Sequence, residues 1–148
     1  TARGVRAISL DEDDYVVGFA ASLDGYTLLT VSETGFGRRS DFDDYRVQNR
    51  GGKGLINYRT DQFGKVAMIA PVKDDDDVIM ITSDGIVIRT HADQISTFKR
   101  PSKGVKVMRV NEGEKIATIS VVDRLDEESE GEPQETESET DTAGAKNE

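Results

Sequence analysis

The chain has 148 residues, a formal net charge of -10 at pH 7 and no cysteine, so disulfides and thiolate metal sites are excluded. No apolar run approaches the roughly 20 residues that a membrane-spanning helix needs, and no charged-then-apolar signal segment opens the chain. Because the first residue is not Met and the chain starts inside a repeat pattern, we expect a piece of a longer protein.

The negative charge is concentrated at the C-terminal end. Residues 124–148 hold ten acidic and two basic residues, a net charge of -8, so residues 1–123 carry only -2. This acidic tail contains one large aliphatic residue, Leu125, and no aromatic residue. Since it cannot bury enough apolar surface to offset chain entropy, we predict that it is disordered.

Short β-strands separated by turns are predicted along the rest of the chain, because β-branched residues dominate short segments and turn residues separate these segments. In chain order, the predicted strands are residues 5–10, 15–21, 26–31, 36–39, 55–59, 65–72, 78–82, 86–90, 105–110 and 115–122. Residues 32–35 and 83–85 are predicted hairpin loops with Gly available for a positive φ. No helical period lasts beyond a turn or two, and we expect at most a single turn at residues 90–93.

The pattern repeats after 50 residues without a gap. Arg-x-x-Lys-Gly at residues 50–54 recurs at 100–104, and Arg39 aligns with Arg89. A fixed period indicates stacked copies of one supersecondary unit, and four strands in about 40 to 50 residues are typical of a propeller blade. We predict an all-β, propeller-like fold of four-stranded antiparallel blades. The predicted divisions are repeats 1–49 and 50–99, a partial third repeat 100–123 and the tail 124–148, together a fragment of a larger ring.

Residues 48–54 read Gln-Asn-Arg-Gly-Gly-Lys-Gly, a glycine-rich loop with two cations. Glycines let a polyanion backbone approach the chain, Arg50 offers a planar fork for phosphate oxygens, and Lys53 offers a point charge. Nucleotide binding is a poor alternative, because the spacing is not that of a P-loop and no helix follows. The residues alone leave two interpretations open, an ordinary solvated turn and a polyanion-binding loop.

The same seven residues resemble the box Gln-Arg-Arg-Gly-Gly-Lys-Gly of the DNA gyrase A subunit family, from which Asn49 departs. The hairpins at residues 34–39 and 82–89 are similar to the blade hairpins of that family, and the acidic end is similar in character. The defining box of the family lies in the first blade, whereas this loop lies about 70 residues before the tail. It is therefore either the defining box or a secondary copy in a late blade.

The resemblance implies a C-terminal β-pinwheel that binds and wraps duplex DNA, so that the ATP-dependent type IIA topoisomerase introduces negative supercoils. It implies a cytoplasmic protein at the bacterial chromosome, without membrane contact. The implied partners are duplex DNA, the gyrase B subunit and another copy of the gyrase A subunit, joined through upstream domains in an A2B2 heterotetramer. No catalytic residue, metal or cofactor is expected in this segment, with ATP and Mg bound by the B subunit and the core. The expected DNA-binding residues are Arg38, Arg39, Gln48, Arg50, Gly51, Gly52, Lys53, Gly54, Arg89, Lys99, Arg100 and Lys103.

Several alternatives stand beside this interpretation. The topoisomerase IV counterpart has a similar pinwheel with a degraded box, and a propeller that binds proteins through the tail is a non-enzymatic alternative. Strand alternation leaves one of Arg38 and Arg39 on an inner face, so the two side chains cannot both contact DNA from a flat strand. The acidic run at residues 74–77 lacks the spacing of an EF-hand, and His91 has no partner for a metal site.

Overall fold

The computed structural model describes residues 2–124, which form two antiparallel sheets. The strands are β1 (Thr27–Ser32), β2 (Phe36–Ser40), β3 (Val66–Val72), β4 (Asp76–Thr82), β5 (Val87–His91), β6 (Val105–Lys106) and β7 (Ile116–Asp123). The helical elements within this range are 3-10 turns at Phe42–Asp44 and Ala92–Gln94 and a four-residue helix α1 (Thr60–Phe63). The predicted all-β class with antiparallel sheets is confirmed.

Each sheet is built around one β-hairpin and completed by strands from later in the chain. The β1–β2 hairpin pairs with β3 on one side and with β6 on the other, in the order β3-β1-β2-β6. The β4–β5 hairpin pairs with β7 along β4. Strands that pair in one sheet therefore come from different 50-residue repeats, which interlocks successive repeats.

The two hairpins are built in the same way, 50 residues apart. A register shift lies between Val31 and Ser32 in β1 and between Ile81 and Thr82 in β4. Ser32 Oγ accepts a hydrogen bond from the amide of the residue four positions on, at 3.2 Å, and Thr82 Oγ1 does the same at 3.0 Å. The sequence period is thus reproduced by bulges and side-chain contacts as well as by strands.

Three predicted strands, residues 5–10, 15–21 and 55–59, do not form. Residues 16–22 correspond by the period to β3 and β7, and both of these strands pair with a hairpin some 40 residues earlier. The described residues contain no hairpin ahead of 16–22, so these amides have no ladder to join. Val16 and Phe19 are accordingly 63% and 93% exposed. Residues 105–110 contract to β6, after which the amides of Val107 and Met108 bond to Gly35 O.

One hydrophobic core lies between the two sheets, where β3 packs against β7. Its buried members are Leu29, Val31, Val72, Val78, Met80, Ala92, Ile95, Met108, Ile116 and Ile119. Burying a side chain of this kind stabilises the fold by about 1.5–3 kcal/mol. The Ile116 amide also donates to Glu33 O at 3.0 Å, which ties the second sheet to the tip of the first hairpin. The shared core gives the surface loops a rigid base.

No helix within residues 2–124 is long and apolar enough to cross a membrane. The acidic tail beyond Arg124, which we predict to be disordered, lies outside the described residues.

Candidate nucleic-acid interface

The glycine-rich loop, here called the box loop and defined as residues 46–54, follows the 3-10 turn Phe42–Asp44. It is exposed along most of its length, and residues 46–52 line an open cleft of about 570 Å³. Gly51 and Gly54 have φ values of 78° and 79°, a conformation that glycine adopts without strain. The backbone thus turns sharply at both ends of the Gly-Gly-Lys-Gly run, while Arg50 and Lys53 stay exposed.

The inner edge of the box loop is held by residues 7–9. The Gly51 amide donates to Ala7 O at 2.8 Å, and the Ser9 amide donates to Gly52 O at 2.9 Å. Ser9 Oγ donates to Gly51 O at 2.6 Å. These contacts fix the glycine backbone and leave the neighbouring Arg50 side chain exposed.

Lys53 forms an ion pair with Asp11, with Nζ 2.7 Å from Oδ1. The hydrogen bond to Asp11 raises the pKa of the Lys53 ammonium, which keeps it charged. Both side chains are about three-quarters exposed, at 76% and 74%, so solvent screens the pair. A phosphate can therefore compete with Asp11 for this cation.

Arg38, which we expected at the DNA surface, is fully buried instead. Its Nε donates to Ser102 O at 3.1 Å, and its terminal nitrogens bond Ser40 Oγ and the main-chain and side-chain oxygens of Asn57. The guanidinium is thus consumed by internal acceptors, and its assignment to DNA is corrected.

Arg39 is corrected in the same way. It is 7% exposed, its Nε donates to Ile95 O at 2.7 Å, and it forms an ion pair with Asp74. Strand alternation predicts that Arg38 and Arg39 point to opposite faces. Both faces of β2 are covered at this position, so neither side chain reaches the surface.

The second copy of the Arg-x-x-Lys-Gly motif is also engaged in internal contacts. Arg100 donates to Asp44 O at 2.8 Å and to Ile56 O at 3.2 Å and is only half-buried. The Lys103 ammonium lies 3.7 Å from the centre of the Phe36 ring, although its side chain remains exposed. The two copies of one motif therefore sit in different environments.

The remaining expected residues are placed at the surface. Gln48, Arg50, Gly52, Lys53 and Gly54 are exposed in the box loop, where Gly51 is half-buried, and Lys99 is exposed on the segment before Arg100. Sequence reasoning missed Arg46, which is exposed and lines the same cleft. Its position four residues before Arg50 in one turn-rich stretch was the signal that could have identified it.

Sequence reasoning also missed a buried carboxylate, that of Asp77, which is 1% exposed. Arg89 donates to it at 2.6 Å, His91 Nδ1 lies 2.6 Å from Oδ1, and Arg124 Nε lies 3.4 Å from the same oxygen. The hydrogen bond with His91 lowers the pKa of Asp77. Arg89, an expected DNA contact, is therefore paired internally while 45% of its side chain stays exposed.

Residues 2–124 contain no group of three or more side chains placed to hold a metal ion.

A family model identifies the class of protein to which this architecture corresponds. Residues 1–22, 26–73 and 76–123 match the model described as the DNA gyrase C-terminal domain, beta-propeller. The chain belongs to this DNA gyrase C-terminal domain family.

Individual relatives agree with the family. The DNA gyrase A subunit of Haloquadratum walsbyi is 39% identical over 133 residues, which are 88% of this chain and 16% of that protein. The DNA gyrase A subunit of Staphylococcus aureus is 38% identical over 138 residues, which are 89% of this chain and 15% of that protein. The chain thus spans only about a sixth of the curated relatives that it matches.

Solved structures show the same fold. The C-terminal domain of DNA gyrase A superposes with a TM-score of 0.72 at 24% identity, over 81% of this chain and 41% of that one. The C-terminal domain of DNA topoisomerase IV superposes with a TM-score of 0.71 at 17% identity, over 81% and 38%. The likeness to topoisomerase IV is one of fold, whereas the relatives at 38–39% identity are gyrase subunits.

Proposed function

We propose that this chain binds and wraps duplex DNA through the box loop and neighbouring exposed cations, as part of a DNA gyrase A subunit. The observation that carries the proposal is the exposed loop itself, which presents Arg46, Arg50 and Lys53 beside a glycine backbone fixed to residues 7–9. Phosphate contacts from Arg and Lys give affinity without reading the base sequence. The proposed ligand is therefore duplex DNA of any sequence.

Wrapping requires contacts that offset the bending of the duplex. A strong bend over 20 to 30 base pairs stores on the order of a few kcal/mol. Arg50 can bond two phosphate oxygens at once, and Lys53 can exchange its solvent-screened contact with Asp11 for a phosphate. Each exchanged contact also releases counterions from the DNA, which makes the affinity depend on salt.

The whole protein in this proposal works within a type IIA topoisomerase that hydrolyses ATP and introduces negative supercoils. This segment supplies no catalytic residue and no cofactor site, and ATP and Mg bind to the B subunit and the core. The partners are the gyrase B subunit and another copy of the gyrase A subunit in an A2B2 assembly, in the cytoplasm at the chromosome. Support comes from the family and from the relatives, which are DNA gyrase A subunits.

The test replaces Arg50 and Lys53 with Ala in the full-length gyrase A protein assembled with its B subunit. Loss of two phosphate contacts should lower the slope of log affinity against log salt by up to about two. Lys73→Ala is the control, because four aspartates follow Lys73 at residues 74–77 and two of them, Asp75 and Asp76, lie 3.7 Å and 3.8 Å from its ammonium, so this part of the surface disfavours phosphate. A double variant that keeps the full slope would contradict the proposal, and salt-independent binding to a protein would favour the protein-interaction alternative.

A further inference from the structure

Arg100 joins the two ends of the box loop. Its Nε donates to Asp44 O at 2.8 Å, and its Nη1 donates to Ile56 O at 3.2 Å. Asp44 lies two residues before the loop begins, and Ile56 lies two residues after it ends. One guanidinium thus bridges the two chain segments at the base of the loop, here called the neck. Its planar fork can bond one acceptor on each segment.

Two further contacts strengthen the same neck. The Arg100 guanidinium lies 5.6 Å from the centre of the Tyr45 ring. Tyr45 Oη donates to Asn57 Oδ1 at 2.5 Å, and Asn57 is itself held by the buried Arg38. The chain entering the loop and the chain leaving it are therefore cross-linked by polar contacts at consecutive residues.

The backbone around Arg100 is held in place by the β1–β2 hairpin and by Tyr58. Gly104, in the same motif, has a φ of 79°, and a Cβ added there would lie 2.1 Å from Gly37 O. Lys103 O accepts a hydrogen bond from Tyr58 Oη at 3.0 Å. The second Arg-x-x-Lys-Gly motif is thus pressed against the β1–β2 hairpin, and this contact fixes the backbone from which Arg100 reaches the neck.

We propose that Arg100 is a positioning residue for the DNA-binding box loop and does not itself contact phosphate. This inference rests on the proposed function. Arg50 and Arg100 occupy equivalent places in the 50-residue period, yet Arg50 is exposed and Arg100 bonds two backbone carbonyls. The first copy of the motif therefore offers the ligand contact, and the second copy sets the shape of the first. A loop held in its binding conformation loses less conformational entropy when DNA binds.

Amide hydrogen exchange of the full-length protein, in complex with its B subunit and without DNA, tests the structural half of the proposal. Arg100→Ala should raise exchange of the Gly51 amide, which donates to Ala7 O within the box loop, by at least about tenfold, while β4 and β5 keep their protection. Arg100→Lys should give a similar rise, because one ammonium cannot reproduce the fork that spans both carbonyls. If the Ala variant loosens the whole domain, the Lys variant, which keeps the charge and most of the stem, gives the same comparison. Unchanged exchange in the loop overturns the proposal.

DNA affinity in a double-mutant cycle tests the functional half. Arg100→Ala should weaken binding roughly 5- to 20-fold in the natural sequence and have little effect when Arg50 and Lys53 are already Ala, because coupled residues are not additive. Lys99→Ala is the comparison variant: this exposed neighbour should lower affinity equally in both backgrounds. An equal loss on Arg100→Ala in both backgrounds would make Arg100 an independent phosphate contact and overturn the proposal.

The exchange measurement and the affinity measurement together separate failure of this inference from failure of the proposed function. If Arg50→Ala and Lys53→Ala leave DNA affinity unchanged, the box loop is not the DNA site and the proposed function fails. The exchange measurement then still decides whether Arg100 shapes the loop.

Discussion

The arginines of this chain occupy two contrasting environments, one buried and one exposed. Arg38 is fully buried and bonded to acceptors from three separate segments, whereas Arg50 is an exposed cation, as is Lys99. A buried guanidinium stabilises the fold only while its acceptors are in place, since each buried polar group left without a partner costs about 1–3 kcal/mol. Stability and DNA affinity should therefore respond to different basic residues.

Arg38→Ala and Lys99→Ala form a matched pair that tests this separation. Arg38→Ala should lower the free energy of unfolding by at least about 1–3 kcal/mol and leave the salt slope of DNA binding by the folded protein unchanged. Lys99→Ala should leave stability unchanged and lower the slope by about one. Denaturant unfolding and DNA titrations at several salt concentrations measure both quantities. A reduced slope for folded Arg38→Ala protein would mean that this arginine does reach DNA.

The buried Asp77 carboxylate should make the stability of the fold depend on pH in the acidic range. Its pKa is lowered in the folded state from an ordinary value of 3.8, chiefly by the hydrogen bond with His91 and then by Arg89. The stabilisation is therefore fully present above about pH 4 and is lost as the pH falls through the lowered value. Thermal unfolding between about pH 2 and pH 6 should show this loss in the natural sequence and a flatter profile for Asp77→Asn. Asp75→Asn, at an exposed neighbour, is the control, and identical profiles for Asp77→Asn and the natural sequence would contradict the account.

At the scale of elements, the fold depends on how later segments dock on an earlier hairpin. β6 pairs with the tip of β2, and Gly104 lies directly against Gly37 at that junction. Gly54, the equivalent glycine of the first motif, has the same φ of 79°, but a Cβ there would find its nearest neighbour, Ile8 Cδ1, at 3.5 Å. The two glycines thus share a backbone conformation and differ in the space around them.

Replacing each of these glycines by Ala separates strain from steric contact. Gly54→Ala should cost about 1–2 kcal/mol, the penalty of a left-handed conformation for an ordinary residue. Gly104→Ala should cost clearly more, because the new methyl group would collide with Gly37 O and displace β6. Equilibrium unfolding of the two variants provides the comparison. Equal losses would show that β6 does not press on the hairpin as the structure has it.

The strands that the sequence predicts correctly are those that find a partner strand within the described residues. The hairpins β1–β2 and β4–β5 follow from alternation and turn glycines, and β3 and β7 follow from their β-branched runs. Residues 15–21 have the same local character but form no strand, because pairing depends on a hairpin that the described residues do not provide. The box loop was likewise visible in its glycines and cations. The burial of Arg38 was not, since it depends on Ser102, 64 residues further along the chain.

At the scale of the whole molecule, the charge is divided between a nearly neutral folded part and the acidic tail. Ten acidic residues lie within positions 126–148, whereas the exposed cations of the box loop belong to the folded part. Carboxylates tethered to one chain can compete with phosphate for the same cations over a Debye length, about 30 Å at 0.01 M salt and 10 Å at 0.1 M. The tail should therefore weaken DNA binding most at low salt.

Ending the chain after Arg124 tests this competition. The truncation keeps Arg124, which bonds Asp77 and Asp93 and so belongs to the folded part. DNA affinity of the truncated gyrase A protein should be higher than that of the complete one at about 0.05 M salt, and the difference should shrink at about 0.3 M. Equal affinities at the lower salt concentration would show that the tail does not reach the DNA-binding surface.

If the box loop holds wrapped DNA, the topology of ligated DNA circles should show it most directly. Nicked circles sealed in the presence of the full-length gyrase A protein with its B subunit, and without ATP, should differ in linking number from circles sealed without protein. With Arg50 and Lys53 replaced by Ala the shift should fall towards zero, while the control Lys73→Ala should keep it. A double variant that folds normally and retains the full shift in linking number would show that the box loop does not hold the wrapped DNA.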